Sequence, residues 1–341
     1  MNEASPLISV IVPAFNVERE IPESVASLAR QSAPDDPRFE FIVVDDGSRD
    51  GTLEAAKRLT SGDPRFRVLH QRNRGCGPAR NMGLDAARGK WVGFLDGDDI
   101  MMPGTLERVL RLAQTPGIDW IFGNYAEFVD RMDGKPAPEG PRGLEPKITD
   151  LPETGTVMDS ARWMEESVSR VHWIHYCWIQ FAKREFVERE GIRFPPRNVF
   201  HQDILWTAEL AARNPRMVFS RDLFVAYRVW PNSTSNSKKP RVGKRQAYSY
   251  MHIIRGIVRL SRSLREKDPE AARALLRHAA YESRHFLGAL RHRAAEADRP
   301  KIARTWCPGY TVGEFLSGLP KDAAGIVFAA KLWCTLLKYR Y

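Results

Sequence analysis

Residues 41–52 read FIVVDDGSRDGT and residues 89–99 read GKWVGFLDGDD, and these two stretches decide the fold. Each holds a short apolar run of the kind that fills a buried strand, and each run stops at aspartates set on a glycine turn. A carboxylate leaving a buried strand is poorly solvated unless a cation or a hydrogen-bond donor meets it. In open α/β sheets, ligands gather beyond the carboxyl ends of the strands. Asp45 and Asp46 at one strand end, with Asp96, Asp98 and Asp99 at another, therefore point to a shared ligand. Taken singly, Asp-Asp-Gly-Ser is equally good turn chemistry, with an aspartate capping the next helix.

Outward from these stretches the pattern alternates. Leu7–Val12, Arg65–Leu69, Trp91–Leu95 and Trp120–Phe122 join Phe39–Val44 as expected strands. Helical spacing opens at Pro22 and recurs over Thr52–Leu59, Pro78–Ala87 and Thr105–Leu112. Strands separated by helices predict an α/β fold, with a mixed, mostly parallel sheet flanked by helices. Asp130–Glu153, rich in Pro, Gly and charge, reads as a long loop. Ser160–Ser169 and Ile204–Ala212 read as helices, and beyond Arg241 the pattern is mainly helical. The polar run Asn232–Lys239 is the expected boundary. It makes 1–239 one domain, with halves 1–130 and 131–239, and 240–341 a helical C-terminal region.

Between the two acidic clusters lies RNRGCGPARNMGL, residues 72–84. Its glycines permit a tight loop, Pro78 can begin a helix, and Arg80 falls in the expected first turn. An arginine there opposes the helix dipole, which favours contact with a phosphate over a purely structural role.

The net charge of +10 is unevenly spread: residues 241–341 hold 20 Lys and Arg against 8 Asp and Glu. Such a tail suits an anionic partner such as a lipid surface or an acidic polymer, or forms a solvated basic face. No apolar run approaches the roughly 20 residues that span a bilayer, and the polar opening gives no secretory signal. Cys76, Cys177, Cys307 and Cys334 show no Cys-x-x-Cys spacing, which fits a reducing cytoplasm and argues against a structural zinc.

Taken in order, ISVIVPAFN, FIVVDDGSRDGT, NRGCGPARNMGL, GKWVGFLDGDD, FHQDILW and YRVWPNSTS resemble glycosyltransferase family 2, with its GT-A (Rossmann-like) fold. The resemblance spans roughly residues 7–235. It is to the branch that builds teichoic acids, capsules and other bacterial surface glycans.

The resemblance implies a nucleoside-diphosphate sugar donor, usually UDP-linked. Pro13 and Phe15 would border the nucleobase and Asp46 would accept its N–H. Asn73 and Arg80 would contact the nucleotide, Asp96 would face the ribose or sugar, and Asp98 would hold Mn2+ or Mg2+. Asp203 would be the catalytic base, with Gln202 where relatives carry a glutamate. YRVWPNSTS, with Arg228 and Ser233, matches a loop over the diphosphate. In VHWIHYCWIQ, residues 171–180, Trp173, His175 and Trp178 are candidates for an acceptor platform, with core packing the alternative for at least one of the tryptophans.

The implied reaction is inverting transfer to a hydroxyl of a glycan, polyol-phosphate or lipid-linked acceptor. The Gln-x-x-Arg-Trp motif of processive relatives is missing: Arg162-Trp163 precedes Asp203 and has Asp159 in the glutamine position. Single-sugar addition is expected, in the cytoplasm or at the inner face of the plasma membrane through the basic tail.

Two rivals are a nucleotide-sugar-binding protein without catalysis, to which Gln202 points, and a nucleotidyltransferase. The second wants a glycine-rich phosphate loop after the first strand, where this chain has PAFNVERE. A dehydrogenase fails on the same ground, and no nucleic-acid-binding motif accompanies the basic tail.

Overall fold

The computed structural model describes residues 5–129, 143–170, 172–229, 240–306, 311–319 and 323–340. In chain order the first elements are β1 (Ile8–Ala14), α1 (Ile21–Ala29), β2 (Phe39–Asp45), α2 (Thr52–Thr60), β3 (Phe66–His70), α3 (Cys76–Ala86) and β4 (Trp91–Phe94). There follow β5 (Ile100–Met101), α4 (Thr105–Leu112), β6 (Trp120–Val129), β7 (Val157–Asp159), α5 (Ser160–Ser169), β8 (Gln180–Lys183) and α6 (Arg184–Arg189). Then come α7 (Gln202–Ala211), β9 (Arg216–Val229), α8 (Pro240–Leu264), α9 (Pro269–Gly288), α10 (Arg299–Arg304), α11 (Val312–Ser317) and α12 (Ala323–Arg340).

Every residue of β1 and β2 is buried. That is the signature of central parallel strands covered on both faces, and it explains their largely apolar runs, in which the buried Ser9 hydroxyl donates to Glu40. The sheet runs β3-β2-β1-β4-β8-β6-β9-β5. β1, β2, β3 and β4 are parallel, as the βα alternation predicts. β8 is antiparallel to both β4 and β6, β6 and β9 are parallel, and β5 pairs antiparallel with β9. The sheet is thus mixed and mostly parallel.

Two boundaries differ from the sequence reading. The strand opening at Trp120 continues to Val129 across register shifts around Asn124, whose polar side chain bonds the Ile148 backbone from both its amide atoms. α3 starts at Cys76 rather than Pro78, so Arg80 lies in its second turn. Gly75, just ahead, has φ +101°, and a Cβ there would lie 2.6 Å from Asn198 Cβ, so only glycine lets the loop close.

The chain forms two compact units that interleave along the sequence. One comprises Met1–Met158, Tyr176–Asn198 and Pro215–Pro231; the other comprises Asp159–His175, Val199–Asn214 and Asn232–Tyr341. A single boundary near 239 is replaced by several crossings, because α7 belongs with the C-terminal helices. Leu205 on α7 reaches Gly256 on α8 so closely that a Cβ there would lie 2.6 Å from Leu205 Cδ1. In the helical unit, α8 and α9 pack along each other around Ile253, Ile254, Ile257, Leu275 and Phe286, all fully buried.

Candidate active site

In the sheet unit, the carboxyl ends of β1, β2 and β4 bring the acidic clusters together. Asp46 is buried, and its carboxylate accepts hydrogen bonds from Gln71 Nε2 (2.7 Å), Arg74 N (2.9 Å) and Gly75 N (2.7 Å). It thereby clamps the loop that leads into α3. Asp45 accepts from Gly47 N, Ser48 N and His70 Nδ1 through one oxygen. Asn73 is exposed on that loop, and Gly47, at φ +69°, sits so close that a Cβ would fall 2.6 Å from Asn73 N. Pro13 is buried at the end of β1, while Phe15 beyond it presents an open ring, 42% exposed.

Arg80 is buried and donates to Asp96 Oδ1, and its guanidinium lies 5.2 Å from the Phe194 ring and 5.9 Å from that of Phe94. The sequence grouped these two residues as separate ligand contacts; the fold makes them an ion pair. Asp98 and Asp99 follow on the turn. Burial, then the Asp96 charge, pushes the Asp98 carboxyl up to about 6. Burial and the Asp98 and Asp96 charges raise Asp99 well above the usual range.

Asp99 Oδ1 accepts from Arg228 N at 2.8 Å, and Asp99 Oδ2 is buried with no partner among the described residues. Arg228 Nε donates to the Asp98 carbonyl at 2.7 Å, and its Nη2 pairs with Glu23. Arg228, expected on a loop over a diphosphate, is therefore built into the floor of the acidic turn. Glu23 was not singled out in the sequence, since one acidic residue in a helical first turn carries no signal of its own.

Three carboxylates crowd one turn, two of them lifted toward their neutral forms, and one buried oxygen is orphaned. This is the electrostatic shape of a hard-cation site. Among the described residues no three His, Cys, Asp or Glu side chains form a metal cage of their own. A divalent ion held by one or two carboxylates and completed by diphosphate oxygens fits that donor set.

Asp203 lies in the helical unit, half-buried in the first turn of α7. The helix begins at Gln202 with His201 as its cap, so Asp203 is not the capping residue. His201 is held at φ 53°. Burial lowers its pKa, and the neighbouring Asp203 charge opposes that shift.

Trp178 is 5% exposed, stacked on Tyr227 at 5.5 Å and edge-on to Tyr125 at 4.8 Å. Trp173 is buried against Trp163 and His278. Neither ring is an open acceptor platform; both serve packing. Ser233 lies outside the described residues, as do Trp230 and Asn232.

In the C-terminal helices, Leu316, Val327, Trp333 and Leu337 are exposed, beside the exposed Lys331 and Lys338. Among the described residues no helix is long and apolar enough to cross a membrane.

Comparison with known proteins converges on one family. The family described as "Glycosyl transferase family 2" matches residues 9–172. TuaG of Bacillus subtilis (strain 168), named for teichuronic acid biosynthesis, is 35% identical over 256 residues, covering 75% of this chain and 91% of TuaG. Residues 1–349 of S. aureus TarS, solved with UDP-GlcNAc, superpose with a TM-score of 0.65 at 19% identity, covering 98% of this chain and 89% of that one. The mannosyltransferase PcManGT of Pyrobaculum calidifontis, solved with GDP-Man and Mn2+, gives 0.52 at 21% identity, covering 98% and 85%. These likenesses give the fold as GT-A, and on the sequence match this chain belongs to glycosyl transferase family 2.

Proposed function

We propose that the chain is an inverting, non-processive glycosyltransferase that moves one sugar from a nucleoside-diphosphate donor, UDP-linked, to a hydroxyl of a bacterial surface glycan. The observation that carries this reading is the crowded turn Asp96-Gly97-Asp98-Asp99 beside the buried Arg80, whose buried carboxylates have the chemistry of hard-cation ligands. The relationship to TuaG supports the surface-glycan acceptor, polyol-phosphate or lipid-linked forms included.

In this reading Phe15 and Pro13 border the base, and Asp46 holds the loop that presents Asn73. The Arg80–Asp96 pair faces the donor. Asp98, with Asp96 or Asp99, would hold Mn2+ or Mg2+, which supplies positive charge to the departing diphosphate. The acceptor oxygen bonds to the anomeric carbon as the bond from that carbon to the diphosphate breaks, and the electron pair leaves with the diphosphate. Asp203 takes the hydroxyl proton as general base. One displacement inverts the configuration, and no covalent enzyme intermediate is needed.

The test is release of nucleoside diphosphate from a panel of nucleotide sugars with Mn2+, with water as acceptor. Release from one donor, abolished by EDTA and restored by Mn2+, is the expected outcome. Donor binding by calorimetry without release from any donor would move the reading to a nucleotide-sugar-binding protein. Absence of both would remove the site assignments.

The exposed apolar residues of α11 and α12, set among lysines, support peripheral attachment to the inner face of the cytoplasmic membrane. Co-sedimentation with vesicles containing anionic lipid is expected to fall at least several-fold in a Trp333→Glu/Leu337→Glu variant. Equal sedimentation of variant and wild type would end that attachment role.

A further inference from the structure

Along its 25 residues α8 has six Lys and Arg and no Asp or Glu. Arg241, Arg245, Arg255, Arg259 and Arg262, with Tyr248 and His252 filling the gap, recur at alternating steps of four and three. That spacing sets them in one row along the helix, roughly 32 Å long at 1.5 Å per residue. All five arginines are exposed, while Ile253, Ile254 and Ile257 turn inward.

Such a face works against its own helix. Like charges four residues apart repel, here Arg241 with Arg245 and Arg255 with Arg259. Arg241 also sits in the first turn, at the positive end of the helix dipole. Acids from elsewhere in the unit meet α8 near its two ends. Glu314 of α11 takes Arg262 at 2.7 Å and, just past the helix, Arg265 at 2.9 Å, and Asp298 takes Lys244 at 2.6 Å.

The row also lies against the entry to α7, the helix that bears Asp203. The Arg245 guanidinium is 4.7 Å from the centre of the Phe200 ring, and Phe200 N donates to Ser249 Oγ at 3.0 Å. His201 stacks on Tyr250 at 5.3 Å and 20°, and α7 packs on α8 within the same unit. The arginines therefore run from the turn just ahead of Asp203 down the length of α8.

The planar guanidinium meets phosphate or carboxylate with two N–H donors at once, so a row of them fits a chain that repeats an oxyanion along its length. A membrane is the other extended anionic surface, but a helix that lies on one mixes apolar side chains with its cations. Among the described residues of the helical unit, the exposed large apolar side chains are Leu316, Val327, Trp333 and Leu337, on α11 and α12 and not on α8. We propose that the arginine row of α8 is a track for an anionic acceptor polymer, a chain of repeating phosphodiester or carboxylate groups, which carries a hydroxyl of that chain to the α7 end. This deepens the surface-glycan reading and rests on it for the acceptor's role, though not for the binding itself.

Calorimetry without donor tests it, with the full chain titrated by poly(glycerol phosphate), polygalacturonate and neutral dextran. At least one polyanion is expected to bind, the tighter one naming the oxyanion, and dextran is not. Affinity should fall roughly tenfold or more between about 50 and 200 mM NaCl, as counterions are released from the polymer. Arg259→Glu, which reverses the charge in mid-row, is expected to weaken binding about tenfold, and Arg58→Glu, the same change at an exposed site on α2, by no more than about twofold. Because Arg259→Glu sets an acid between Arg255 and Arg262, its thermal midpoint is expected to hold or rise while binding falls, which a structural role for Arg259 would not give. In turnover with the tighter polymer as acceptor, the same variant is expected to raise acceptor KM about tenfold with kcat within about twofold.

Equal losses in Arg259→Glu and Arg58→Glu would reduce the effect to net charge and overturn the proposal. So would dextran binding as well as the polyanions, or a short DNA duplex binding tighter than either. Vesicle co-sedimentation lost in Arg259→Glu with polymer binding intact would give the row to a membrane instead. Should Arg259→Glu not fold, Arg259→Ala, which only trims an exposed side chain, decides in its place. Polymer binding with no sugar transfer from any donor would leave the track standing and remove the transferase reading, and donor release to water without polymer binding would do the reverse.

Discussion

Asp203→Asn is expected to lower the turnover number by about 10²–10⁴-fold while donor affinity stays within about twofold. The substitution is close to isosteric and removes only the capacity to take a proton. Its structural cost is small. A carboxylate in the first turn of α7 interacts favourably with the helix dipole, a contribution of about 0.3–1 kcal/mol when partly exposed. A hundredfold rate loss corresponds to about 2.7 kcal/mol of barrier, more than that contribution. The residues proposed to contact the donor lie in the sheet unit, so an effect on kcat alone is the signature of a base. Single-turnover kinetics with the active donor, alongside calorimetric donor titration, would check it. Matching losses in both measurements would show that the residue binds rather than reacts.

Asp98→Ala is expected to reduce metal-dependent donor turnover by about 10²-fold or more, and to stabilise the metal-free protein. The second half of this prediction follows from the sign of the pKa shift. Asp98 folds with its carboxyl pushed up to about 6, above the ordinary aspartate value of 3.8, so the folded state holds a proton that the unfolded chain releases first. The cost of burying the carboxyl grows between those two values and is constant above the higher one. At pH 7 without metal, removing that carboxylate is expected to gain on the order of 1–2 kcal/mol. Thermal unfolding with EDTA and with Mn2+ gives the test. Wild type should gain more from Mn2+ than the variant, and a variant both less stable and equally metal-responsive would show that the ion sits elsewhere.

Much of the sheet unit was legible in the sequence because parallel strands buried on both faces must be continuous apolar runs. Leu7–Val12, Phe39–Val44 and Trp91–Leu95 announced β1, β2 and β4 in that way. β8 did not show, being four residues long with Gln180 and Lys183 at its ends. β9 was obscured by Ser220-Arg221-Asp222, which interrupts its apolar residues where Arg221 and Asp222 reach solvent. β8, antiparallel to both its neighbours, helps to make the sheet mixed, and both strands depend on partners far away in the chain.

The acidic turn was legible for a similar reason: aspartates at the end of a buried strand have few inexpensive explanations. What each aspartate touches was not. Asp46 spends its carboxylate on Gln71, Arg74 and Gly75, and Arg228 reaches back to Asp98, Asp99 and Glu23 across more than a hundred residues. Spacing along a chain cannot show such pairings. The arginine row of α8 did carry a signal, since steps of four and three put these positions on one face of a helix.

The interleaving of the two units sets an order of events during synthesis. α5 and α7 leave the ribosome long before α8 and α9, yet their apolar faces close only against those later helices. Until then Trp163, Leu205 and Trp206 lack part of their burial, and a nascent chain in that state is a natural client for chaperones. The sheet unit faces the same delay in milder form, because β9 is made after α7 and completes a sheet whose first strand emerged some two hundred residues earlier. The helical unit is therefore finished last, after the final segment of the sheet unit has already been made.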